Sequence, residues 1–276
     1  MKKSNLKIST LLKTFALIVI CSIALTACSG DDSNPSVVTD DSPGVIDDDN
    51  LPIDDDTPPA TTNYNKLVRV ENFGYTLADG DQFEDKDILY YSLVENKEII
   101  SDYRKTTRWD LGFSGLYSSF LSGNNGSDTG NLGAGTSAVG GIYIVEQPFD
   151  EVTNIPDDSV FKTNREIYGT DENGAFGNGK GWYLYDFDGD LVRDGSYDNM
   201  HIAYALGEPL ALNNGTMVPA RTLILKTAKG DYAKIKMISV YKDIFNREDF
   251  TRTAPKMYFT FEYVVVPKGS TKFEIK

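Results

Sequence analysis

TLILKTAKGDYAKIKMISVY, residues 222–241, is the stretch of the sequence that decides the fold. Two runs of β-branched and aromatic residues flank Lys229-Gly230-Asp231, which predicts an antiparallel hairpin whose turn uses a positive φ at Gly230. The second run alternates with period two, so one of its faces can be buried against other elements. The face that we expect in the core comprises Ala233, Ile235, Met237, Ser239 and Tyr241.

The same composition recurs along the chain after residue 65. Runs typical of strands span 67–72, 88–94, 108–114, 141–147, 181–187 and 256–266. Residues 242–255, between the last two long runs, fit one helical turn or a loop. We therefore expect a mainly β fold, a single antiparallel-sheet domain with little helix over residues 66–276.

The N-terminal residues are typical of a targeting segment rather than of a fold. Four lysines precede or flank the start of an apolar run at 15–25, which is short for a membrane span of about 20 residues. Leu25-Thr26-Ala27-Cys28 resembles a bacterial lipobox, so we expect a lipoprotein signal peptide at 1–27 and lipidation of Cys28. An ordinary secretory signal with an incidental Cys28 is the alternative.

Residues 28–65 form the predicted tether between the lipid and the domain. After Cys28 the segment carries ten aspartates and no lysine or arginine. Its charges repel and it buries too little apolar surface to fold, so we expect it to be disordered. The acidic residues directly after Cys28 resemble the signals of Bacteroidota surface lipoproteins, which implies an outer-membrane anchor with the domain exposed at the cell surface. A stalk facing the periplasm is the alternative.

Composition and charge argue against several classes of function. The chain has a net charge of −14 and no basic cluster, which disfavours nucleic acid and anionic membrane surfaces, so the lipid anchor alone should attach it to membrane. It contains one histidine, and no thiol remains once Cys21 leaves with the signal peptide and Cys28 takes lipid. Because the usual nucleophile, zinc and phosphate-loop motifs are missing from the sequence, we expect a binding protein and no enzyme.

Residues 121–141, LSGNNGSDTGNLGAGTSAVGG, are almost free of apolar side chains. Such a composition favours a mobile surface loop between strands. The alternative is a binding loop that presents its backbone from a rigid sheet.

Several motifs in the domain resemble one known family. They are YYSLVENKEI at 90–99, WDLGF at 109–113, GWYLY at 181–185, the 222–241 hairpin and MYFTFEYVV at 257–265. Together they resemble the HmuY family of haem-binding lipoproteins from Bacteroidota, over roughly residues 66–266. The resemblance implies a mostly β, hand-like fold that grips haem or porphyrin and passes it to a TonB-dependent outer-membrane receptor.

The family pattern implies two axial ligands to the haem iron, one before the GWYLY motif and one after it. Before the motif, Tyr168 is the plausible donor within residues 159–180. After the motif the chain offers Met200, His201 and Met217. The family resemblance therefore makes these four residues the candidate haem ligands.

Strand geometry orders the candidates that follow the motif. In an extended strand Met200 and His201 point to opposite faces, so His201 with Met217 is the expected pair. The second imidazole nitrogen of a metal-bound histidine needs a partner, which Asp194 or Asp198 can supply. The alternative is an ordinary strand histidine with packed methionines.

Closely spaced aspartates suggest a second site. They comprise Asp186, Asp188, Asp190 and Asp194. Hard cations such as calcium prefer several carboxylate oxygens, although Gly189 interrupts the usual calcium-loop spacing and a solvated acidic turn is the alternative. A chain that kept this scaffold without a haem site would instead serve as an adhesion or glycan-binding module with structural calcium.

Overall fold

The fold is taken from a computed structural model, which describes residues 63–75 and 87–276. The predicted signal peptide at 1–27, the predicted lipidation site Cys28 and most of the predicted tether lie outside the described residues. None of the helices within the described ranges is long and apolar enough to span a bilayer.

The last residues of the predicted tether pack on the domain. The Asn65 amide donates to the Val265 carbonyl at 2.8 Å, and the Tyr64 hydroxyl donates to Asp231 at 2.9 Å. These bonds hold the chain beside the sheet before the first strand begins.

Strands dominate the described residues, and the mainly β prediction is confirmed. The strands are β1 (Leu67–Gly74), β2 (Leu89–Ser92), β3 (Lys97–Ile99), β4 (Leu111–Ser114), β5 (Phe120–Gly123), β6 (Gly141–Val145), β7 (Tyr183–Asp186), β8 (Ile202–Ala205), β9 (Leu210–Ala211), β10 (Met217–Val218), β11 (Thr222–Lys226), β12 (Tyr232–Tyr241) and β13 (Lys256–Val266). The helices described are three-residue 3-10 turns at Ser101–Tyr103, Leu116–Ser118, Phe149–Glu151, Asp158–Val160, Tyr197–Asn199 and Arg247–Asp249.

The larger sheet has five antiparallel strands in the order β1-β13-β12-β11-β6. The predicted hairpin lies within it: Leu223 of β11 stands opposite Ile235 of β12, and Gly230 in the turn has φ +95°. The predicted core face of β12 is at most 2% exposed at each of its positions, Ala233, Ile235, Met237, Ser239 and Tyr241. Period two and the glycine turn thus set the register, as the sequence predicted.

A second sheet, in the order β3-β2-β4-β5, packs face to face against the first. Phe113 of β4 meets Phe259 of β13 with ring centroids 4.7 Å apart, and Tyr91 of β2 meets Phe261 edge-on at 5.5 Å. Such aromatic pairs add about 0.5–1.5 kcal/mol each beyond the area that they bury. The core therefore lies between the two sheets.

The WDLGF motif ties the two sheets together. Asp110 is buried, and its two carboxylate oxygens accept from the Leu93 amide at 2.8 Å and from the Ala228 amide at 3.1 Å. Trp109 is fully buried and its indole N–H donates to the Arg104 carbonyl at 2.9 Å. The motif is thus structural, because it satisfies buried amides from two separate turns.

The β7–β8 hairpin carries the GWYLY motif and leans on the larger sheet. Tyr183 stands opposite Ala205 at one end of the hairpin. The Ala203 amide donates to the Tyr241 hydroxyl of β12 at 2.9 Å. Trp182 is buried, with its ring centroid 6.1 Å from that of Phe259. These contacts fix the hairpin at the end of the sheet, where it forms one wall of a cavity.

The Asn- and Gly-rich segment 121–141, predicted as a surface loop, is partly packed into the molecule and partly exposed. Asn124, Asn125 and Asn131 are buried. Asn125 donates its side-chain amide to the Gly140 carbonyl at 2.7 Å, and Asn131 donates to the Gly123 carbonyl at 2.8 Å. Their side-chain amides supply donors that a strand ladder would otherwise supply, so these asparagines are buried with hydrogen bonds to backbone carbonyls.

Candidate functional site

A cavity of about 290 Å³ opens between the β7–β8 hairpin, the start of β13 and the 3-10 turn at Leu116–Ser118. Its aromatic lining comprises Tyr117, Trp182, Tyr183, Tyr185 and Phe259. Its polar lining includes Ser119, His201, Arg252 and Lys256. Aromatic walls with a few convergent polar groups are typical of small-molecule sites.

His201, the one histidine of the chain, stands directly before β8. Its φ is +58°, and its amide donates to the Phe187 carbonyl at 3.1 Å. The prediction of an extended strand through Met200 and His201 is therefore wrong, because the chain turns at His201. The turn brings the imidazole to the cavity and leaves Met200 beside it, where its sulfur accepts from Arg252 Nη1 at 3.9 Å.

The His201 ring is held by aromatic neighbours. Its Nδ1 is 2.9 Å from the Tyr185 hydroxyl, and its ring stands edge-on to Phe187 with centroids 4.6 Å apart. Tyr185 thus takes the role expected of Asp194 or Asp198, because the β7–β8 pairing sets Tyr185 next to the turn. When Nδ1–H donates to the tyrosine oxygen, Nε2 carries the lone pair that a metal binds.

The charges around His201 favour its neutral form. Burial, followed by the charges of Arg252 and Lys256, lowers the pKa of His201, while Asp188 acts in the opposite direction. Burial also raises the pKa of Tyr185, so its hydroxyl keeps its proton at neutral pH. The site therefore favours the neutral form of an imidazole that shares the cavity wall with two cations.

An exposed aromatic rim continues the cavity outward. Phe176 is 76% exposed and Phe187 is 39% exposed. Their centroids lie 5.6 Å apart in an edge-on pair, and Phe176 is 6.1 Å from Tyr185 on the cavity wall. Exposed rings that join a cavity mark a binding surface for a flat apolar group.

The cavity walls contain strained backbone. Tyr117, His201 and Met257 all line the cavity, and their φ angles are +55°, +58° and +70°. Left-handed conformations at residues other than glycine cluster at ligand sites, where the surrounding structure holds them in place. Met257 is 1% exposed, which makes its side chain part of the packed wall.

The family model described as HmuY protein matches residues 84–263. This chain belongs to the HmuY family. The family is associated with haem binding, and the lipobox and β-rich domain agree with membership.

Two solved structures are similar to the chain. An apo HmuY analog from Tannerella forsythia is 15% identical, with 75% of this chain and 100% of that chain covered and a TM-score of 0.34. A putative lipoprotein from Bacteroides fragilis NCTC 9343 is 14% identical, with 72% and 89% covered and a TM-score of 0.29. Among curated proteins none matches the sequence.

Of the four candidate haem ligands, the structure sets His201 on the cavity. Met217 lies on β10 opposite Ala211 and is 59% exposed, away from the cavity lining. Tyr168 is 4% exposed and bridges to Leu121 of β5, also outside the lining. The expected His201–Met217 pair is therefore not assembled on this cavity, because the residues after β8 turn into the separate β9–β10 hairpin.

The four candidate calcium ligands are not gathered into a cation site. Asp186 is fully buried and accepts from the Val192 amide at 3.1 Å, whereas Asp188 and Asp190 are exposed. Asp194 accepts from the Ser196 amide, which lowers its pKa to about 2. Within the described ranges no three acidic, histidine or cysteine side chains lie close enough to hold a metal. Asp186 and Asp194 instead accept hydrogen bonds from backbone amides of the turn.

Sequence reasoning missed most of the cavity wall. Arg252 and Lys256 lie about 50 residues after His201. Arg252 falls in the segment predicted as a helical turn or loop, and Lys256 is the first residue of the strand predicted at 256–266. Tyr185 lies in the GWYLY motif, which marked a strand and gave no sign of a ligand partner. Met257 is the second residue of the last strand, and its apolar side chain is typical of a core position. The available signal was an arginine in the predicted loop of an acidic protein, with a lysine at the first position of the strand that follows.

Proposed function

We propose that this protein binds haem in the cavity beside His201, with the imidazole as an iron ligand. The observation that carries the proposal is the placement of the sole histidine, neutral and with Nδ1 anchored by Tyr185, on an aromatic cavity. Haem supplies an iron that accepts such a nitrogen, and its flat ring suits aromatic walls. The protein would bind and release haem without transforming it.

The residues present fit this ligand by chemistry. Nε2 of His201 is available for iron, and the rings of Trp182 and Tyr185 line the cavity. A volume of about 290 Å³ lies at the lower end of ligand sites, so the cavity encloses only part of a tetrapyrrole. The exposed rings of Phe176 and Phe187 extend the apolar surface for the remainder.

A thioether is also present on the cavity wall. Met257 is the methionine that lines the cavity in the described part of the chain, so it replaces Met217 as the candidate for the second side of the iron. Met257→Leu keeps the volume of the side chain and removes the sulfur donor.

Titration with haemin tests the proposal. Full-length protein in detergent should show a saturable Soret change at one haemin per chain, and His201→Ala should shift the band and weaken binding. Met217→Ala, which removes an exposed methionine off the cavity, is the matched control and should bind as the wild type does. If the wild type gives no saturable change, haem binding is excluded, and an unchanged spectrum in His201→Ala removes the histidine from it.

We also propose that Cys28 is lipidated and anchors the protein in the outer membrane, facing outward, where it passes haem to a TonB-dependent receptor. The lipobox, the acidic tether and family membership support this. Labelled palmitate should enter the wild type and not Cys28→Ser. Protease added to intact cells should remove the domain, and protection of the domain would place it in the periplasm.

A further inference from the structure

Another concave surface shares no lining residue with the cavity beside His201. It is an open groove of about 540 Å³ between the start of β2 and two polar segments, 129–132 and 164–165. None of the described residues that line it is acidic. Three exposed cations line it, namely Arg104, Lys105 and Arg165. We call this surface the basic groove.

The basic groove departs from the charge balance of the chain, which carries 41 acidic residues against 27 basic ones. A groove beside β12 shows the contrast, because it is lined by three cations and by as many acids. Its ion pairs join Arg69 Nη1 to Glu262 at 3.0 Å and Lys236 Nζ to Glu208 at 2.8 Å. Charge in that groove is therefore cancelled within the protein.

The cations of the basic groove are not cancelled in this way. Arg104 makes no ion pair with a described carboxylate, and the Arg165 Nε has one acidic neighbour, Glu166, at 4.0 Å. Since all three cations are exposed, water solvates them in the free protein and an arriving anion can replace that water. The sequence shows no such cluster, because about 60 residues separate Lys105 from Arg165. The fold alone assembles it.

Hydrogen bonds inside the protein fix one wall of the groove, which belongs to the Asn- and Gly-rich segment 121–141. Asn131 is buried, and its Oδ1 accepts from the Asn125 amide at 3.0 Å. Lys105 donates from Nζ to the Ala134 carbonyl at 2.9 Å, which holds this cation against the wall. Groups that are positioned before a ligand arrives lose little conformational entropy on binding. This wall fits the alternative that the segment is a binding loop on a rigid sheet.

The opposite wall adds neutral donors to the cations. A Cβ atom on Gly130 would lie 2.7 Å from Asn164 Nδ2, so the glycine is what allows the two walls to approach. Asn164 Oδ1 accepts from the Arg165 amide at 2.7 Å, which orients the side-chain amide. Thr129 contributes an exposed hydroxyl to the same lining. Cations and neutral donors together suit an anion with several acceptor oxygens.

The donor set favours one class of anion. A phosphate monoester carries close to two negative charges at neutral pH and three strong acceptor oxygens, and a group of arginines is its usual partner. The planar guanidinium of Arg104 or Arg165 can donate two parallel hydrogen bonds to it. A carboxylate has one charge and two oxygens, so it would leave part of the donor set unused. The half-buried side chains of Ile88 and Leu132 offer apolar contact to the rest of the ligand.

We propose that the basic groove binds a phosphate monoester, with Arg104 and Arg165 donating to the phosphate oxygens and Lys105 adding charge. Two sources share this chemistry, a soluble sugar phosphate and the phosphorylated headgroup of a lipid in the membrane to which the chain is proposed to be anchored. The inference goes beyond haem binding and uses none of the residues of that site.

Isothermal titration calorimetry of the full-length protein in a neutral detergent measures the binding. Glucose 1-phosphate is the soluble probe and dioctanoyl phosphatidic acid is the lipid probe, because both carry a phosphate monoester. Their matched probes are glucose, which lacks the phosphate, and dioctanoyl phosphatidylglycerol, whose phosphate is a diester. At least one monoester should bind about tenfold or more tightly than its matched probe, as expected for charge-assisted hydrogen bonds.

Variants assign the binding to the basic groove. Arg104→Gln and Arg165→Gln should each weaken binding of the preferred monoester about three- to tenfold. Both side chains are exposed, so thermal unfolding should match that of the wild type. Lys272→Gln removes an exposed lysine off the groove and should bind as the wild type does.

Preference for phosphatidic acid would identify a lipid headgroup as the ligand, and preference for glucose 1-phosphate a soluble one; either result supports the inference. It is overturned if neither monoester binds saturably, if the matched probes bind as tightly, or if Arg104→Gln and Lys272→Gln have equal affinity. A single-stranded oligonucleotide that binds more tightly than both monoesters also overturns it, in favour of a phosphodiester surface. The haem site is tested separately, since Arg104→Gln should leave the haemin spectrum unchanged and His201→Ala should leave monoester binding unchanged.

Discussion

Two cationic regions among the described residues have opposite surroundings. At Arg221 the side chain is 1% exposed and pairs with Asp171 at 2.9 Å and with Glu146 at 2.8 Å. At the cavity, Arg252 and Lys256 are partly buried and meet tyrosine, sulfur and a carbonyl. The comparison teaches that the acid of Arg221 is built into the fold, whereas Arg252 and Lys256 are held at the cavity by neutral groups. Neutral partners also hold a buried cation away from the cavity, since Lys234 donates to the Phe149 and Val152 carbonyls.

The largest effect is expected when the paired region is broken. Arg221→Ala leaves the buried Asp171 carboxylate without its cation, and breaking a buried ion pair costs about 3–5 kcal/mol of unfolding free energy. Urea denaturation measures the loss. Lys226→Ala, which removes an exposed pair with Asp158, is the control and should cost less than about 1 kcal/mol. Equal losses in the two variants would show that the Arg221 pair does not stabilise the fold.

Acid should weaken the same region. Burial opposes ionisation of Asp171, but hydrogen bonds from Asn173, Gly181 and Arg221 outweigh it and hold its pKa below the ordinary value. The stability from this group is therefore fully present above about pH 4 and is lost as the pH falls through the folded-state pKa.

Free energies of unfolding, obtained by urea denaturation between pH 5 and pH 2, test this dependence. The free energy of unfolding should fall less steeply with decreasing pH in Asp171→Asn than in the wild type. The two slopes should differ by no more than about 1.4 kcal/mol per pH unit, the limit for one proton. Parallel slopes would show that Asp171 does not carry the acid dependence.

Removal of a charge from the unpaired region should raise the free energy of unfolding, whereas Arg221→Ala should lower it. Lys256 has a lowered pKa in the folded state, so the folded protein binds its proton less well than the unfolded chain and is destabilised by the charge at neutral pH. Lys256→Met keeps the aliphatic length, and we expect a gain of about 0.5–2 kcal/mol in unfolding free energy. Thermal unfolding measures it, with Lys272→Met as the unchanged control. A loss of stability in Lys256→Met would show that the cation is already compensated.

The smallest effect is expected from substitution in the exposed aromatic rim, which tests the rings independently of the cations. Phe176→Ser alters a side chain that is 76% exposed, so stability should stay within about 0.5 kcal/mol. Haemin affinity should fall about two- to tenfold through the loss of one ring contact. Met217→Ser, at an exposed apolar position off the cavity, should change neither quantity. If both variants bind haemin equally, the aromatic rim is not part of the site.

Much of the fold was predictable because its signals are local. The glycine turn at 230 and the alternation after it specified the hairpin and its buried face, and both appear in the structure. The Asn-rich segment was mispredicted because burial of Asn125 and Asn131 depends on carbonyls that only the folded chain brings to them. Composition reports polarity and does not report which partners the polar groups will find.

The site was only partly predictable. His201 was a candidate ligand from the sequence because it is the one histidine, and in the structure it lines a cavity. The residues around His201 were not predicted, because the turn at His201 changed the direction of its side chain. In addition, Arg252 reaches the cavity from a separate segment of the chain. An extended strand was the natural expectation for alternating residues, and a single left-handed residue overturned it.

The sequence by itself determined the class of the fold, the central hairpin and the family resemblance. These follow from residue type and spacing within a few positions, where steric preference and periodicity act. Only the tertiary structure decided which cations are paired. Arg221 meets an acid 50 residues before it, while Arg252 and Lys256 meet none among the described residues. Pairing depends on the distance between the charged groups and on their burial, and the local sequence determines neither.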